Sequence, residues 1–177
     1  MVDDVTLVAG IPIPSTSPIF LALVGLHVLA GLVCVAAGAV EMLSRKGRGR
    51  HSSFGTVYVW SLVAGLVFAT GLASVRWAQD YPLVALGALA MASASAGRLA
   101  ARGRWPGWVR WHIAGMGLSY VFLLTAFYVD NGRSLPLWRA LPQPAFWLLP
   151  AAIGAPIIAY ALVRHPLARR VSDDGRG

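Results

Sequence analysis

Residues 19 to 43, IFLALVGLHVLAGLVCVAAGAVEML, decide the fold. Along this stretch and into the basic turn behind it, His27, Gly31, Cys34, Gly38, Glu41 and Arg45 recur at intervals of four, three, four, three and four. Such intervals return to the same side of an α-helix, so all six fall on one stripe. Nearly everything else in the segment is Leu, Val, Ala, Phe or Ile. A helix that is apolar all round except for one small-and-polar stripe belongs in a bilayer, with the stripe turned toward other helices.

Composition points the same way. Of the 177 residues 57% are hydrophobic and 12% charged, where soluble globular chains carry roughly 25% charged residues. An ordinary soluble protein is excluded, and the length suits one domain. The net charge of +8 would suit nucleic acid, but its placement does not: Lys and Arg sit in short turns beside apolar spans, the footprint of membrane orientation. No nucleic-acid partner is expected. The acidic start, with Asp3 and Asp4, lacks a basic n-region and a cleavage pattern, so no signal peptide is expected. The single Cys34 cannot form an internal disulfide.

Five spans follow from the apolar runs, at about 18–43, 53–75, 83–101, 108–129 and 145–163. Residues 1–17 are an extracytoplasmic lead, 18–164 the transmembrane domain and 165–177 a basic cytoplasmic tail. Ser17-Pro18 is a helix start, and Ser52 or Ser53 is expected to cap the second span. Arg76 to Pro82 reads as an interfacial loop, Trp138 and its neighbours as a short surface helix. The turns 44–51 and 98–110 and the tail, with Arg164 just before it, carry twelve of the fifteen Lys and Arg. By the positive-inside rule the N-terminus lies outside and the C-terminus inside a bacterial inner membrane.

Similar seams recur on the next three spans: His51, Gly55, Tyr58, Leu62, Gly65; Gly87, Ala90, Ala94, Gly97, Ala101; and His112, Gly115, Ser119, Phe122, Ala126. The expected fold is all-α, an integral membrane bundle of four antiparallel helices with a fifth, bent by Pro150 and Pro156, against its side. Apart from the lipid bilayer, these seams suit a homo-oligomer or a partner in a membrane complex as well as packing within one chain.

Glu41 ends the first span, His51 begins the second, and His112 lies about one turn into the fourth from the same side. One carboxylate and two imidazoles are a ligand set for zinc or iron. The same two histidines are the only pair at matched depth, and so the candidate axial ligands of a haem. The competing reading pairs Glu41 with nearby arginines and leaves the histidines bonded at the headgroup level. His27 lies deeper, where Ser93, Ser119 and Tyr120 reach a similar level. It forms with them an interhelical polar cluster or a proton relay. Arg76 and Asp130 are expected to form a clamp on the outer side. His165 is expected to be solvated. No phosphate-cradling loop, activated nucleophile or catalytic carboxylate pair is present, so no reaction is assigned.

Lys46-Gly47, His51, Gly55 and Tyr58, then His112, Gly115-Met116-Gly117, Ser119-Tyr120, the run Leu124 to Gly132, and Leu135-Pro136 with Trp138, together resemble the signatures of an uncharacterised family of bacterial multi-pass membrane proteins, a domain of unknown function. The opening Ile11 to Ser15 is similar too, so the resemblance covers roughly residues 11 to 166. It implies a cytoplasmic-membrane helical bundle and no particular activity. Three functions remain: a bundle holding a metal or haem near the cytoplasmic face for redox chemistry or cofactor handling, a proton-coupled carrier using His27, and a structural or assembly subunit without a cofactor.

Overall fold

The computed structural model describes residues 6–8, 11–13, 17–47 and 49–165. The basic tail beyond His165 and Arg48 in the first turn lie outside the described residues. Five helices carry the chain: α1 (Pro18–Leu43), α2 (Arg50–Ala73), α3 (Trp77–Gly103), α4 (Trp108–Asn131) and α5 (Gln143–Arg164). Each is apolar and long enough to cross a membrane. At about 1.5 Å per residue they extend roughly 33 to 40 Å, against a hydrocarbon core of about 30 Å. The chain divides into two units, Met1–Val84 and Ala85–Gly177, with the boundary inside α3.

The first unit opens with a feature that periodicity did not suggest, a small antiparallel ribbon of β1 (Thr6–Val8) and β2 (Ile11–Ile13) that pairs Thr6 with Ile13 and Val8 with Ile11. Helix α1 begins where Ser17 accepts a hydrogen bond from the Phe20 N–H at 3.2 Å, with Pro18 in the first turn, where its missing N–H costs nothing. Helices α1 and α2 pack antiparallel. Leu23 meets Gly71, His27 meets Gly65, Cys34 meets Tyr58, and Glu41 meets Gly55. The buried side of α1 holds Cys34, Ala37, Gly38 and Glu41, and that of α2 holds Gly55, Tyr58 and Leu62. Large side chains such as Leu29, Leu32, Trp60 and Val67 stay exposed, as lipid-facing residues should.

Two span boundaries differ from expectation. Helix α2 starts at Arg50, capped by no serine side chain: Gly49 (φ 107°) precedes it, a backbone shape that glycine adopts without strain. Helix α3 starts at Trp77, so Trp77 to Tyr81 are its first turns and not a loop, and Pro82 lies inside it. Arg76 precedes it, its carbonyl accepting from the N–H groups of Gln79 and Asp80. Proline so near a helix start removes only one backbone bond.

In the second unit Leu86, Ala90, Ala94, Gly97 and Ala100 are the buried residues of α3. A Cβ added to Gly115 of α4 would come within 2.6 Å of the Ser93 carbonyl and 2.8 Å of the Gly97 main chain. The two backbones therefore touch, which only glycine at both places allows. Helix α5 runs antiparallel to α4: Gly117 faces Ile158, Gly154 faces Val121, and Gly132 faces the buried ring of Phe146. In the α4–α5 link the expected short surface helix is a single 3-10 turn, Trp138–Ala140, and a second such turn, Gly132–Ser134, precedes it. The Trp138 ring stacks on Tyr128 with centroids 4.1 Å apart.

Candidate metal centre

The last carbonyls of a helix have no partner within it. At the end of α1 the following turn supplies partners. Ser44 N–H reaches the Val40 and Glu41 carbonyls, and Lys46 Nζ donates to the Met42 carbonyl at 2.8 Å and the Glu41 carbonyl at 3.4 Å. A cation there also suits the negative end of the helix dipole. Burial pushes the Lys46 ammonium below its ordinary pKa, while the Glu41 charge acts the other way.

His51, the second residue of α2, joins this cluster. Its Nδ1 lies 3.1 Å from the Glu41 carbonyl and 4.0 Å from Glu41 Oε1. A carbonyl only accepts, so Nδ1 carries the hydrogen, and in the neutral ring Nε2 holds the lone pair. A backbone carbonyl on one ring nitrogen is the usual outer-shell partner of a metal-ligating histidine. The Glu41 side chain is buried at the membrane-span end and rests on Gly55, where an added Cβ would stand 2.8 Å from Oε1. Gly55 thus makes the room in which Glu41 lies. A carboxylate and an imidazole side by side within one helical hairpin form a His/Glu pair able to offer oxygen and nitrogen to a cation.

The second unit repeats the device. His112, five residues into α4, places Nδ1 3.2 Å from the Gly97 carbonyl of α3, so its Nε2 also holds the lone pair when neutral. Gly115, one turn on, brings the two backbones together at that level.

The remaining sequence candidates have other surroundings. His27, half-buried, directs Nδ1 to the Gly65 carbonyl of α2 at 3.1 Å, a partner that no side-chain inventory could suggest. Ser119 is fully buried, Tyr120 is half-buried, and Ser93 presents its carbonyl to Gly115. Arg76 stands at the entry to α3, and Asp130 near the end of α4 accepts from Asn131 Nδ2 at 3.2 Å. Cys34 is buried, and its thiol donates to the Tyr58 carbonyl at 3.5 Å. His165 departs from expectation: its Nδ1 is buried, with no hydrogen-bond partner among the described residues, while its backbone N–H caps α5 by donating to the Ala161 carbonyl.

Sequence reasoning picked out Glu41, His51 and His112 but missed the groups that orient them. Gly55, Gly65 and Gly97 already stood out as small residues on the seams. Their roles as cradle and as carbonyl acceptors depend on the backbone and are not encoded in residue type. Compared with family models, with curated proteins and with solved structures, the chain finds no match.

Proposed function

We propose that Glu41, His51 and His112 together hold one divalent metal ion, zinc or iron, in a multi-pass protein of a bacterial inner membrane with its N-terminus outside and its C-terminus inside. Membership of the uncharacterised family that its motifs resemble is part of the same proposal. The observation that carries the reading is the pairing of a buried carboxylate with an imidazole whose Nδ1 is committed to a carbonyl. That commitment leaves Nε2 as the ligand atom. His112 has the same commitment in the second hairpin, and the basic turns next to each of the three residues support the inner side for them.

Two histidines and one carboxylate fill three positions of a metal and leave one open, the arrangement of reactive sites and not of closed structural ones. When bound, such an ion supplies Lewis acidity or, as iron, electron transfer. The carboxylate favours a small ion over haem: two imidazoles would fill both axial positions of a haem and leave Glu41 without a role. A structural role is the second reading. His27 makes the same bond to Gly65, so the bond by itself serves helix packing.

Elemental analysis of the full chain, purified in mild detergent and loaded with zinc or ferrous iron, separates the two. About one ion per chain is expected, and a loss of roughly ten-fold or more in affinity for Glu41→Gln, His51→Ala and His112→Ala. His27→Ala removes an equivalent packing bond and should keep the ion. A metal-free wild-type protein after loading leaves the structural reading.

A further inference from the structure

A groove of about 380 Å³ opens in the second unit between the start of α4 and the end of α5, lined by Pro106, Gly107, Arg110, Trp111, Ala114 and Leu162. Its volume lies within the roughly 300–1,000 Å³ of small-molecule sites, and its lining has two characters. Gly107 enters α4 with φ 66°, no side chain caps the helix, and the first turn carries no acid. The positive end of a 24-residue helix therefore lies at one edge of the groove. The exposed Arg110 adds a full charge there. The rest of the lining, Trp111, Ala114 and Leu162, is apolar.

The surroundings share the bias. From residue 85 to residue 177 the sequence holds ten arginines against three acids: Asp130, at the opposite end of α4, and Asp173 and Asp174. Arg104 lies over the Trp108 ring at 5.7 Å and Arg164 over the Tyr160 ring at 5.3 Å. Cations laid on aromatic rings at the ends of two spans mark the headgroup level. A second groove of the same size, lined by Gln143, Pro144, Trp147 and Leu148, has no cation in its wall. Charge over an apolar wall thus distinguishes the first groove.

We propose that this groove is a binding site for an anionic phospholipid, with the phosphate at Arg110 and the helix start and an acyl chain along Trp111, Ala114 and Leu162. Basic pockets between spanning helices select acidic headgroups in this way. The site needs the membrane-spanning fold but no metal.

The test counts lipids retained by the full chain in mild detergent by native mass spectrometry, offering phosphatidylglycerol and phosphatidylcholine with identical acyl chains. The wild type should prefer phosphatidylglycerol. Arg110→Gln should lower that retention about five-fold, the weight of one cation near the surface. Ala114→Phe, which fills the apolar part and keeps the charge, should lower it as well, and Arg139→Gln on the other loop should leave it unchanged. Circular dichroism checks that each variant keeps its helices. Equal retention of the two lipids overturns the proposal. So does an Ala114→Phe variant that binds as the wild type does, since lipid would then be held by diffuse charge. Displacement of the lipid by inorganic phosphate at equal concentration also overturns it, in favour of a free-anion site.

Discussion

His51 gives its Nδ1 hydrogen to the main-chain carbonyl of Glu41 at 3.1 Å, while the carboxylate of the same residue lies 4.0 Å from that nitrogen. The backbone carbonyl of α1 thus holds the ring at hydrogen-bond distance, and the carboxylate stands at the outer limit of an ion pair. Orientation and charge can therefore be removed separately. Glu41→Gln keeps the main-chain acceptor and removes the charge, so the α1–α2 hairpin should still form, as circular dichroism would show, while metal held by the carboxylate is lost.

Gly55→Ala tests the cradle. The new methyl would sit 2.8 Å from Glu41 Oε1 and 3.0 Å from Cδ, atoms at the far end of a flexible side chain. The carboxylate can swing away at little cost, so the expected outcome is a protein that melts near the wild-type temperature with metal content lowered like that of Glu41→Gln. Thermal unfolding and elemental analysis of the same preparation check it.

A graded glycine series tests the backbone contact of α3 and α4. At Gly115 an added Cβ meets only main-chain atoms, at 2.6 and 2.8 Å, and nothing can yield without separating the helices. Gly115→Ala should cost about 1–3 kcal/mol or more. At Gly97 the nearest atoms are 3.2 Å away, and the cost should be smaller. At Gly31 nothing lies within 4 Å, and alanine there should be neutral or stabilising by up to about 1 kcal/mol. Unfolding in mixed detergent–dodecyl sulfate micelles gives the order.

Cys34, 1% exposed with its thiol on the Tyr58 carbonyl, should resist alkylation. Thiol reactions need both access and thiolate. A membrane-permeant maleimide is expected to leave the folded protein unlabelled for hours and to label it fully in dodecyl sulfate. Mass spectrometry reads the added mass, and rapid labelling of folded protein would show that α1 and α2 open.

His27→Ala removes the interhelical bond to Gly65. Such bonds are worth about 0.6 kcal/mol on average and up to about 1.7, so a small drop in stability is expected. In vesicles carrying a pH gradient, the decay should be the same for wild type and variant. A slower decay in the variant would revive the proton-relay function.

The spans could be read from sequence because lipid imposes one requirement everywhere, about 20 apolar residues in a row. Helix α1 shows this most plainly, with Ser17-Pro18 marking its start. Legibility faded where polarity and backbone shape diverge. Trp77 to Tyr81 look like loop because they are mixed in character, yet they are helical. Gly49 enters α2 by a positive φ that no pattern of serines could show. Gly31 shares the stripe with Cys34 and Gly38, but it meets nothing, because a sequence period marks a side of a helix and not how far the neighbour extends along it. The ribbon at Thr6–Val8 and Ile11–Ile13 was hidden by its prolines. For the candidate centre, side-chain chemistry named Glu41, His51 and His112. The carbonyls that set the histidine tautomers belong to the chain in general and have no letter of their own.

That anonymity has a consequence for how the protein can change. The acceptors for His27 and His112 are the carbonyls of Gly65 and Gly97, and no substitution removes a main-chain oxygen. Each pairing can be lost only from its histidine side and has no second-site suppressor that restores it by chemistry. Related chains should therefore vary at these histidines without a compensating change at the residue across from them, so pairwise covariation will miss these two interhelical hydrogen bonds.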